Sequence, residues 1–100
     1  GAAIMKLVLF LYLGPDPERL HALVEGLGLP GHTDLGEVHG AGRTGRHEGT
    51  RAFPGGGSAM FSVVPTEQVD AVMAAAGAAS ATLPLGERLH AFVLPVEQSL

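Results

Sequence analysis

The stretch Met5 to Leu13, MKLVLFLYL, constrains this chain more than any other. It is nine residues of branched, aliphatic and aromatic side chains broken only by Lys6 and closed by Gly14-Pro15. A run this short, ended by turn residues, reads as a strand. Its alternate positions are apolar on both sides, with Leu7, Leu9 and Leu11 on one and Val8, Phe10 and Tyr12 on the other. Such a strand belongs in the middle of a sheet, and both faces of that sheet need cover. The run falls well short of the ~20 residues a spanning helix requires. It also lacks the charged start and cleavage site of a secretory signal, so the expectation is a cytoplasmic protein. Gly1 to Ile4, ahead of Met5, are read as a cloning remnant outside the fold.

The remaining elements follow from punctuation and period. Asp16 with Pro17 opens a helix whose stripe is Leu20, Leu23, Val24 and Leu27, stopped by Gly26 and Gly28. Pro30-Gly31 turns the chain into an extended segment over 34–42. Residues 59–64, AMFSVV, form a further strand. Pro65-Thr66-Glu67 starts a second helix, with Val69, Val72, Met73 and Ala76 on its apolar stripe. Residues 88–96, RLHAFVLPV, are the last strand. The order βαββαβ is that of ferredoxin-like α+β folds, in which both helices cover one sheet face. The other face of a two-sided apolar strand is then left for a neighbouring copy, which predicts an oligomer.

One hundred residues make one domain, spanning 5–100. With four Phe, one Tyr and no Trp, its core must be aliphatic. The absence of Cys excludes disulfides, thiolate catalysis and thiolate metal sites. A net charge of -4 argues against sequence-independent nucleic-acid binding. Eight of the fifteen glycines fall between Gly36 and Gly57, in one connection with no periodicity, and loops of that length are usually functional or disordered. The loop 43–57 runs against the chain's charge: it holds Arg43, Arg46 and Arg51, with His39 and His47 on or beside it. Glycine backbone and forked guanidinium groups together suit an anion. Gly40-Ala41-Gly42 is neither a dinucleotide fingerprint nor a phosphate-binding loop of the GxxxxGK[ST] type.

Several segments resemble the PII signal-transduction proteins. Pro30-Gly31-His32-Thr33 followed by Gly36-Glu37-Val38-His39-Gly40-Ala41-Gly42-Arg43 is similar to that family's G-x-T turn and E-V-x-G-F-G-R strand, with no gap from Gly31 to Arg43. Residues 63–72 are similar to its entry into the second helix, and Gly86-Glu87-Arg88 with residues 92–97 to the end of its B-loop and the following strand. The resemblance implies a homotrimer with nucleotide clefts between subunits, and a loop, 43–57 here, that signals to a transporter or an enzyme. It implies binding roles for Gly31, Thr33, Gly40, Ala41, Gly42, Arg43, Gly86 and Arg88, with Arg88 as phosphate cation. It implies partner contacts through Arg46, His47, Arg51 and Phe53. The family's phenylalanine is Ala41 here, its B-loop T-G-x-x-G-D-G-K is reduced to Leu83-Pro84-Leu85-Gly86-Glu87-Arg88, and the loop has no tyrosine to modify. AMP or ADP, or a small anion such as bicarbonate, is therefore expected ahead of ATP.

Of the histidines, His21 is expected to be solvated and His90 buried or at an interface. His32, His39 and His47 lie on or beside the loop without a metal-ligand spacing inside one chain. Threefold repetition supplies ligands that such spacing does not reveal, so the alternative is a metal-binding trimer of PII-like or CutA-like kind, acting in heavy-metal tolerance or efflux regulation, with His39 and His47 as ligands. No nucleophile elbow or paired carboxylates are present, Ser62 reads as structural, and no enzyme is expected.

Overall fold

The computed structural model describes residues 4–40 and 56–100 of the chain. Ala41, Gly42, Arg43, Arg46, His47, Arg51 and Phe53 lie outside the described residues. The elements are strand β1 (Met5–Leu13), helix α1 (Arg19–Glu25), strand β2 (Thr33–Val38), strand β3 (Gly57–Pro65), a 3-10 turn (Thr66–Gln68), helix α2 (Val69–Ser80) and strand β4 (Arg88–Pro95). The sheet order is β2-β3-β1-β4, and every pairing is antiparallel. This is a small α+β domain with the ferredoxin-like arrangement. Among the described residues no helix is long and apolar enough to cross a membrane.

β1 is central, as its two apolar faces require. Val8, Phe10 and Tyr12 are fully buried and pack with Leu20 and Val24 of α1 and Val72 and Ala76 of α2, so both helices lie on one side of the sheet. Across from them on that side stand Met60 and Ser62 of β3. The other side is open in the single chain. There Leu9 sits between Phe61 and Phe92, and Leu7 between Val63 and Leu94. Phe92 is 50% exposed and Leu94 44%.

The element ends differ from the sequence expectations in instructive ways. Asp16 does not cap α1 directly. Its carboxylate accepts the Glu18 N–H at 2.9 Å and its carbonyl the Arg19 N–H at 3.1 Å, so a turn precedes the helix. β2 ends at Val38 and carries a bulge between Asp34 and Gly36, where Gly36 takes φ +83°, a conformation that disfavours any side chain. His90, expected to be buried or at an interface, is exposed in the single chain, its ring stacked at 6.3 Å on Phe92 over the open face.

Candidate functional site

A cleft of about 720 Å³ opens on the helix side at one end of the sheet. Its walls are the Gly14–Pro17 turn, the first residues of α1, the β2 strand with its bulge, and the start of β3. The bulge decides what faces it. The Gly36 N–H donates to Asp34 Oδ1 at 2.7 Å, which fixes the carboxylate and leaves Oδ2 directed at His21 Nε2, 3.0 Å away. Asp34 is held below the ordinary carboxylate range, first by that backbone bond and then by His21. His21 is thus a partner of the edge strand and not the freely solvated group expected. At the outer rim His39 Nε2 lies 3.5 Å from Glu37 Oε2.

The charged groups among the described lining residues are Glu18, His21, Asp34, Glu37 and His39, with no Lys or Arg. In this part of the cleft the acidic charge dominates at neutral pH. Among the described residues no group of three or more His, Asp or Glu side chains is placed to hold a metal ion.

The residues expected to bind a ligand are distributed over three places. Gly40 follows the cleft rim directly. Gly31 and Thr33 instead line a separate depression of about 330 Å³ with His32, Phe61 and Val63. Ser62, which donates its hydroxyl to the Gly31 carbonyl, holds that turn in the structural role expected of it. Gly86, at φ +91°, lies in the α2–β4 turn, and Arg88 is the first residue of β4. Arg88 pairs with Leu13, whose side of β1 is the open face, so Arg88 shares the sheet end with the cleft but not its side.

The α2–β4 turn is clasped to α1 by Tyr12, Arg19 and Glu87, which nothing in the sequence marks as acting together. The Tyr12 hydroxyl donates to Glu87 Oε1 at 2.8 Å and accepts the Asp16 N–H at 3.3 Å. Arg19 meets the same carboxylate through Nε at 3.0 Å and Nη2 at 3.4 Å. The Arg19 guanidinium, then the Tyr12 hydroxyl, lower the Glu87 carboxyl below its usual range. Burial, then Glu87, raises Tyr12. Nothing in the spacing signals this cluster, because Tyr12 and Glu87 are separated by most of the chain.

A pH dependence follows. The Glu87 carboxyl titrates lower in the folded than in the unfolded chain, so its contribution is fully present above the unfolded value near 4.5 and is lost as pH falls through the folded one. Thermal melts taken from neutral pH downward should therefore show Tm falling below about pH 4.5, and Glu87→Gln should flatten that slope. Equal slopes in both proteins would remove Glu87 from the clasp.

No protein-family profile matches the chain, and no curated protein sequence matches it. Among solved structures it is similar to the crystal structure of a functionally unknown protein from Pediococcus pentosaceus ATCC 25745, with a TM-score of 0.65 and 19% identity over 99% of this chain and 98% of that one. At that identity the likeness concerns the fold.

Proposed function

We propose that the chain is a PII-like regulatory module: a cytoplasmic homotrimer that binds AMP or ADP, or a small anion, between subunits and signals through the 43–57 loop to a transporter or an enzyme. The observation that carries this reading is topological. The register aligns Val38, Gly57, Leu13 and Arg88 across one end of the sheet, so the base of the loop, the Gly14–Pro17 turn and the Gly86–Arg88 segment are gathered there. Arg88 faces away from its own chain's cleft, so a site that uses both needs a neighbouring subunit. In this reading the positive charge for a phosphate comes from Arg43 and, across the subunit boundary, from Arg88.

Calorimetric titration with AMP, ADP and ATP, each with and without bicarbonate, tests it. Heat with AMP or ADP, weakened roughly tenfold or more by Arg43→Ala as one charge-assisted bond is lost, is the expected result. No heat with any nucleotide or with bicarbonate ends the reading. The second reading, a metal-binding trimer using His39 and His47, is favoured by the imidazole and carboxylate groups of the cleft, which suit a cation better than a phosphate.

A further inference from the structure

Three segments meet at one end of the sheet around the Tyr12 hydroxyl: the Gly14–Pro17 wall of the cleft, the base of the 43–57 loop, and the start of β4 that carries Arg88. We infer that Tyr12, Arg19 and Glu87 are positioning residues that lock these segments into one unit, so that what the cleft holds and where Arg88 stands on the opposite side of the sheet are linked. This rests on the nucleotide reading above for the ligand and for the use made of Arg88, and adds to it how the two parts of the site are joined.

The hydrogen bonds form one path. At its first end the Gly14 N–H donates to the Gly56 carbonyl at 3.2 Å, which ties the turn to the base of the loop, and Gly14, Pro15, Pro17 and Gly56 all line the cleft. The Asp16 N–H, in the same turn, donates to the Tyr12 hydroxyl at 3.3 Å, and that hydroxyl donates to Glu87 Oε1 at 2.8 Å. Glu87 is the residue next to Arg88, and its own N–H is held by the Pro84 carbonyl at 3.1 Å. Packing leaves this path little slack. The Tyr12 side chain is fully buried, and its hydroxyl end lies so close to Gly14 that a Cβ there would overlap it and come within 3.1 Å of Glu87 Cγ.

Arg19 fixes the direction of the Glu87 carboxylate. It engages both oxygens, Nε on Oε1 at 3.0 Å and Nη2 on Oε2 at 3.4 Å, and its Nη2 also lies 3.6 Å from Asp16 Oδ2 in the cleft-wall turn. A forked guanidinium holds a carboxylate in one plane. The Glu87 side chain is only 9% exposed, so its carboxylate has little water to turn to if the fork or the tyrosine moves. Glu87 then carries its backbone with it. Arg88 follows directly in the chain and starts β4 opposite Leu13, on the open side of the sheet, whereas Glu87 reaches to the helix side. A displacement at the Tyr12 hydroxyl therefore crosses the sheet within one residue.

The test is amide hydrogen exchange of the whole chain, wild type against Tyr12→Phe, together with calorimetric titration of AMP. Phenylalanine keeps the ring in the core and removes the hydroxyl alone. Exchange at the Gly14, Asp16 and Glu87 amides should rise together by about 3- to 10-fold, the worth of one hydrogen bond. The Gly36 amide, held by Asp34 on the far wall of the cleft, should keep its rate. A rise at Asp16 alone, which loses its acceptor directly, would overturn the coupling whatever AMP does. Tyr12→Phe should also weaken AMP binding about 3-fold or more in the wild-type background and leave it unchanged in an Arg88→Ala background, since it acts through Arg88. Equal losses in both backgrounds overturn the positioning role. A wild type that binds no AMP ends the nucleotide reading, and the exchange rates then decide the clasp by themselves.

Discussion

Gly57→Ala should lower the melting temperature by about 4–24 °C. An added Cβ at this position meets the Tyr12 carbonyl oxygen at 1.9 Å, its carbonyl carbon at 3.0 Å and the Leu13 Cα at 3.2 Å. These are backbone atoms of the central strand, directly across the ladder from Gly57, and no side-chain rotation relieves them. β1 and β3 must part at their cleft end. Overpacking of this kind costs about 1–3 kcal/mol and sometimes more, and in a domain of this length each kcal/mol is worth about 4–8 °C. Gly77→Ala is the counter-experiment. Gly77 is an exposed position within α2 with nothing near its would-be Cβ. Alanine there should stabilise by about 0.5–1 kcal/mol, through the unfolded chain alone. A Gly57→Ala protein that melts with the wild type would mean the strands are not paired this closely.

The glycine contrast shows why some of the molecule was legible in the sequence and some was not. Apolar period and turn residues are local, and they placed all four strands and both helices. β1 matches its expected span of Met5 to Leu13, because Gly14-Pro15 leaves no other end to it. The demand on Gly57 is set by the β1 backbone across the ladder, which no neighbouring residue announces. The same holds for the two polar constructions at the site. His21 has the spacing of a solvated helix position and becomes a partner of Asp34 only because the bulge at Gly36 turns that carboxylate toward the helix. Glu87 was visible as a departure from the B-loop pattern, but its bonds to Tyr12 and Arg19 depend on β4 lying beside β1.

Phe92→Glu should convert a trimer into a monomer. The proposed trimer needs cover for the open face, where Leu7, Leu9 and Leu11 of β1 run between Phe61 and Val63 of β3 and Phe92 and Leu94 of β4. Phe92 is half exposed in the single chain and lies across the ladder from Leu9, on the side away from the helices. A glutamate there is well solvated in the monomer, and the core of Val8, Phe10 and Tyr12 on the opposite side is untouched. In an assembly that buries this face, the carboxylate is unpaired among leucines, at a cost of several kcal/mol per subunit, repeated at each copy. Equilibrium sedimentation should give three times the 10.2 kDa chain mass for the wild type and the chain mass for the variant, with unchanged circular dichroism. Nucleotide binding should disappear with the trimer, since Arg88 and the cleft lie on opposite sides of the sheet in one chain. A variant that stays trimeric places the subunit contact elsewhere. A monomeric variant that still binds nucleotide at full strength confines the ligand to a single chain, and Arg88 then has no part in holding it.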